Sequence, residues 1–220
     1  MLDSDLVQRG AVLFLDPSYS GDGARSCNGC HPGGASDNQF YRDGEQVEAG
    51  DAAGRRSLQM RGLWETAPYL WDNSAGTLRA ALERMLRVEM RGATLEPRDL
   101  EALEAYALSI PPFDNGRAEL DGTPVEPVTL AARRGWGVFQ KARCATCHTP
   151  PALTSGALHD IGTGGAFSVP SLRGMSADGP YGHDGRWEAL EDAVAAHVEA
   201  SKLALSDEEI VQLAEYLRLL

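Results

Sequence analysis

The sequence predicts an all-α chain with much coil, built as two tandem copies of one domain. Apolar residues recur at helical spacing, with no convincing period-2 strand. Segments of the first half return in the second, the later ones at an offset of about 110–112 residues. Between them lie 24 Gly and 12 Pro, enough to interrupt the helices with long irregular loops.

The repeat can be followed from end to end. Arg9-Gly10-x-x-Leu13-Phe14 returns as Arg134-Gly135-x-x-Val138-Phe139. Arg61-Gly62, followed by Pro68-Tyr69-Leu70-Trp71-Asp72-Asn73, returns as Arg173-Gly174 and Pro180-Tyr181-Gly182-His183-Asp184-Gly185. Thr77-Leu78 matches Ala189-Leu190, and Leu100 to Tyr106 matches Ile210 to Tyr216. The first closing helix opens at Glu96-Pro97-Arg98-Asp99 and carries Leu100, Leu103 and Ala107 on one face. The second opens at Ser206, with Glu209 three residues on as in a capping box, and its stripe is Ile210, Leu213, Leu217 and Leu220. The expected domains are residues 1–112 and 128–220, with 113–127, rich in Pro, Gly and Asp, as a linker.

The net charge of −12 argues against nucleic acid and anionic membranes, and favours a partner with a basic face. Equally, the acid can serve solubility alone. No apolar run approaches the roughly 20 residues of a membrane span. Met1-Leu2-Asp3-Ser4-Asp5 has neither the basic nor the apolar region of a signal peptide.

The four cysteines fall in two copies of Cys-x-x-Cys-His: Cys27-Asn28-Gly29-Cys30-His31 and Cys144-Ala145-Thr146-Cys147-His148. Two thiols on one helical turn can add to the two vinyl groups of one haem, and the following histidine then lies under the iron. A four-thiolate zinc site is the rival. It fits poorly, because the pairs are about 113 residues apart where zinc ribbons use about 15–20, and because histidine follows both. The motifs therefore predict two covalent haems c, with His31 and His148 as proximal ligands. Covalent haem attachment normally happens outside the cytoplasm, so the expected location is periplasmic or otherwise exported, as a mature form or a piece of a longer protein.

The repeat also points to the sixth ligands. Leu78 plus seven is Met85 and Leu190 plus seven is His197, so two ligand-capable residues share one slot. Haem 1 is then His31/Met85 and haem 2 is His148/His197. The competing readings are a core methionine and a core or surface histidine. His159 and His183 read as structural or haem-edge residues.

These residues together resemble the bacterial di-haem cytochrome c peroxidases and MauG-like enzymes. The resemblance rests on Arg9-Gly10-x-x-Leu13-Phe14, Asp16, Ser20-Gly21, Ser26-Cys27-x-x-Cys30-His31, Trp71-Asp72-Asn73 and Pro180-Tyr181-Gly182-His183-Asp184-Gly185, and covers nearly the whole chain. It implies two cytochrome c-like domains, with Trp71 as an electron bridge between the haems. It implies that haem 2 transfers electrons and haem 1 is the peroxidatic site. Val88-Glu89-Met90 resembles the family segment whose Glu is the acid–base group, so Glu89 would serve hydrogen peroxide. Arg61 and Arg173, at equal places in both halves, would bind haem propionates.

The chain departs from the family pattern in several places. His197 stands where the family uses Met or Tyr. No histidine lies between Pro32 and Leu70, where family peroxidases often supply a displaceable ligand. The family's inter-haem calcium is doubtful here, since its Asn position is Arg56, and Asp43, Glu45, Glu48 and Asp51 read as a solvated acidic loop. If Met85 closes haem 1, the chain is instead an electron-transfer module with both haems six-coordinate.

Overall fold

The computed structural model describes residues 3–175 and 179–220 and divides the chain into two compact units, Met1–Pro111 and Pro112–Leu220.

In the first unit, α1 (Ser4–Leu15) starts at Asp3, whose carboxylate accepts the Asp5 and Leu6 N–H groups. It buries Gly10, Leu13 and Phe14 against α4 (Pro97–Ser109). A Cβ on Gly10 would run into the Ala102 carbonyl, so the glycine lets the two backbones touch. Phe14 then meets Tyr106 with ring centroids 5.1 Å apart. Between these helices lie the one-turn α2 (Cys27–Cys30), α3 (Leu78–Arg84) and a π-helical turn, Met85–Glu89, that continues α3.

The second unit repeats the design. Here α5 (Leu130–Lys141) crosses α7 (Asp207–Leu217) at Gly135, where a Cβ would strike the Gln212 carbonyl. Phe139 meets Tyr216 at 5.3 Å. Ser206 and Glu209 form the capping box of α7. The intervening helix, α6 (Leu190–Ala200), is regular throughout and buries Leu190, Val194 and Val198. The Arg-Gly-x-x-apolar-Phe repeat is thus the signature of one helix crossing, made twice.

The helix-rich fold agrees with the expected all-α class, but its loops are not free of strands. β1 (Phe40–Arg42) pairs antiparallel with β2 (Glu45–Val47) and β3 (Arg55–Arg56), and β4 (Leu158–Asp160) pairs with β5 (Ala166–Ser168). At two or three residues each, these strands are too short to show alternation. Residues 113–127 are not a free linker either. The Tyr216 hydroxyl donates to Gly122 O at 2.8 Å and Arg173 Nη2 donates to Leu120 O at 2.5 Å, which fastens the segment to the second unit.

Candidate haem-binding sites

Both Cys-x-x-Cys-His segments form a single helical turn. The His31 N–H donates to Cys27 O at 2.8 Å, and the His148 N–H to Cys144 O at 2.9 Å. Each turn therefore places two thiols and an imidazole side by side. Burial pushes the Cys27 and Cys144 thiols up to about 11, and the Cys30 thiol up as well. Surroundings that keep sulfur uncharged suit a thioether.

Around the first motif, burial holds the His31 imidazole below its ordinary value, against the opposing pull of Asp37 and the Leu58 and Ala35 carbonyls. His31 Nδ1 is buried and finds no hydrogen-bond partner. Arg61 lies over the same turn, with Nη2 donating to Gly33 O at 3.3 Å and a buried Nε left without an acceptor. An anionic group at the haem edge would complete it.

The β1–β2 turn, Asp43-Gly44, has positive φ at both residues, as a tight hairpin requires. It is tied to the π turn. The Gly44 N–H donates to Glu89 Oε2 at 2.9 Å, Arg25 Nη1 donates to the Glu89 and Gly44 carbonyls, and Arg91 donates to Asp43 O and pairs with Glu45. Glu89 is thus a fixed, half-buried carboxylate whose charge is felt at the Cys30 thiol. The neighbouring helix residues divide sharply. Leu82, Leu86 and Met90 join the core, while Met85 stays half-exposed at the start of the π turn. Of the acidic loop residues, Glu45 and Asp51 are paired, to Arg91 and Arg42. Arg56 donates to Asn38 Oδ1, and its carbonyl accepts the Trp71 indole N–H at 2.8 Å.

Around the second motif, His148 and His197 bring their rings to a centroid distance of 6.3 Å, with planes inclined by 55°. The His148 Nδ1–H donates to Leu153 O at 3.2 Å, which fixes the ring's orientation. Burial, then the neighbouring histidines, bring His148 down to about 4, so its ring is neutral at neutral pH. His159, on β4, places Nε2 at 3.7 Å from Cys147 Sγ.

His183 lies elsewhere, buried and stacked on Phe167 at 3.8 Å beside Asp184, which takes a bidentate grip from Arg186. Arg173 is committed to Pro151 and Leu120 carbonyls, unlike Arg61. Sequence reasoning overlooked Arg25, Asp37, Tyr41 and Arg186; only the Asp43-Gly44 turn signal hinted that this loop is ordered.

The profile of the family described as di-haem cytochrome c peroxidase matches residues 4–109. Methylamine utilization protein MauG of Methylophilus methylotrophus is 27% identical over 84% of this chain and 70% of its own length. Cytochrome c551 peroxidase of Nitrosomonas europaea is 23% identical over 87% of this chain and 72% of its own. The first unit thus matches the di-haem cytochrome c peroxidase family, and the chain along most of its length is similar to MauG-like proteins. Among solved structures, a chain of Kuenenia stuttgartiensis hydrazine synthase superimposes on this chain with a TM-score of 0.80, covering 100% of it and 88% of the other at 23% identity. That likeness extends the shared fold over both units. Among the described residues, no helix of this MauG-like chain is long and apolar enough to cross a membrane.

Proposed function

We propose that this chain holds two covalent haems c and reduces hydrogen peroxide at haem 1, with electrons entering through haem 2 from a small redox protein that has a basic face. The reading places the chain outside the cytoplasm, where covalent haem is attached. The observation that carries it is Glu89, fixed by the Gly44 N–H on the side of the first motif rather than left in solvent.

The residues fit the cofactor. With a metal–nitrogen bond of ~2.0–2.1 Å and a ring radius of ~1.2 Å, two imidazoles that held one metal between them would lie about 6.4 Å apart, centroid to centroid. The 6.3 Å between His148 and His197 matches this. At haem 1, His31, Cys27, Cys30 and the unpaired Arg61 Nε are the holding groups. Bound haem supplies the redox-active iron and, at an open face, a place for peroxide.

The chain's own residues supply the rest. The Glu89 carboxylate takes a proton from one peroxide oxygen and returns it to the departing one, so water leaves instead of hydroxide. The Gly44 N–H and the Arg25 clamp hold Glu89 in place for this. Trp71, anchored through its indole N–H, serves as the electron relay toward haem 1. His197 donates more strongly than a thioether and sets haem 2 at a low potential.

Met85 supports a second reading. Its side chain stays out of the core that its neighbours build, as a ligand's would. If it binds iron, haem 1 is closed and the chain only relays electrons. The spin state of the half-reduced holoprotein, followed by peroxide turnover with Glu89→Gln, separates the two. A high-spin haem and Glu89-dependent turnover support the enzyme, while two low-spin haems and no turnover leave the relay.

A further inference from the structure

The loop between the first motif and Trp71 carries no histidine, but it brings Tyr41 against that motif. The Tyr41 hydroxyl faces the Cys30 thiol, which becomes the porphyrin-edge thioether when haem is attached. It donates to Asp37 Oδ2 at 2.6 Å, a short charge-assisted bond. Asp37 is itself built into the motif, since its N–H donates to Cys30 O at 3.0 Å and its Oδ1 accepts Ser57 Oγ and the Gln39 N–H. Tyr69 and Tyr216, by contrast, donate to backbone carbonyls, which cannot keep a proton. Burial and Asp37 raise the Tyr41 phenol well above its ordinary value, so it is protonated at rest.

We propose that Tyr41 is a redox-active residue at the edge of haem 1, giving up one electron while its phenolic proton crosses to Asp37. This rests on the reading of haem 1 as the peroxide site, because hydrogen peroxide is the oxidant. Reduction of one peroxide to two waters takes two electrons and two protons. Tyr41 supplies one electron and an external donor the other, and both protons come from solvent. The O–H bond of Tyr41 breaks and an Asp37 O–H bond forms, leaving a neutral tyrosyl radical. A later electron restores the phenol as the proton returns. The site therefore holds its own oxidising equivalent when the external donor delivers only one electron.

The test is rapid freeze-quench electron paramagnetic resonance of the di-haem holoprotein mixed with hydrogen peroxide, with the Soret band followed in parallel. The expected result is an organic radical that narrows with ring-deuterated tyrosine and is lost in Tyr41→Phe and Asp37→Asn. Spin trapping of the wild-type protein and peptide mapping should place the adduct on Tyr41, which keeps the test decisive if either variant fails to take up haem. A radical that persists in Tyr41→Phe, an adduct on another residue, or a Soret change with no radical overturns the proposal alone. An unchanged Soret band overturns the peroxidase reading and this proposal with it.

Discussion

His148 and His197 face each other across a gap of 6.3 Å between ring centroids, the spacing one metal between two imidazoles requires. Their roles differ, because only the His148 ring is fixed by a hydrogen bond to its own loop. His197 rides on α6 and can be removed without touching the attachment motif. His197→Ala should leave both haems covalently attached but convert haem 2 from low-spin to high-spin. His197→Met should keep it low-spin and raise its potential. Visible and paramagnetic resonance spectra, with a redox titration, check both; unchanged spectra would exclude His197 as a ligand.

Glu89→Gln keeps the size and the hydrogen bond to Gly44 but removes the base. Peroxide turnover should fall about 10²–10⁴-fold, the usual contribution of a positioned acid–base group. Steady-state kinetics at saturating electron donor measure it, and an unaltered rate would return Glu89 to a purely structural role.

Gly10 and Gly135 mark the same crossing in the two units. Alanine at either should force the helices apart and cost about 1–3 kcal/mol in the unit that carries it. Urea titrations of Gly10→Ala, Gly135→Ala and the double variant should show two separate and nearly additive losses.

Asp184 gives a pH dependence with a definite sign. Burial pushes its carboxyl up, but the Arg186 guanidinium, with His183, outweighs burial and holds it below the usual carboxylate range. A lowered folded value means that the unfolded chain takes the proton first as pH falls. The contribution is therefore complete above about pH 4 and fades as pH drops through the folded value. Asp184→Asn should lose about 3 kcal/mol at pH 7, the low end for a broken buried pair because Arg186 keeps some solvent contact. The gap from wild type should narrow progressively as pH falls below about 4 in denaturant melts.

The parts of the fold legible in the sequence are those set by short-range chemistry. Ser206 and Glu209 cap α7 within four residues, and each Cys-x-x-Cys-His motif puts two thiols and a histidine on one turn within five. The repeated glycines were visible as letters, but that they seat helix crossings needed three dimensions. Contacts across loops were not legible. Nothing near Asp37 announces Tyr41 or Ser57 as its partners, and three-residue strands leave no periodic trace. Residues 113–127 have the composition of a linker because they are irregular, yet the donors of Arg173 and Tyr216 order them from a distance. The pairing of Met85 with His197 came from counting along the repeat, and counting cannot see the π turn.

That turn is an insertion. From Leu78 to Tyr106 the first copy runs about two residues longer than the second does from Leu190 to Tyr216, and a π turn is the way a helix takes in an extra residue without unravelling. The part of the helix before the insertion keeps its packing, while the part after it is rotated by roughly 100° about the helix axis. After duplication, one such event could let two identical ligand slots drift to different work while both domains went on folding. Deleting a residue from Met85–Glu89 would run that history backwards, and would show how far one helical insertion accounts for the difference between the two slots.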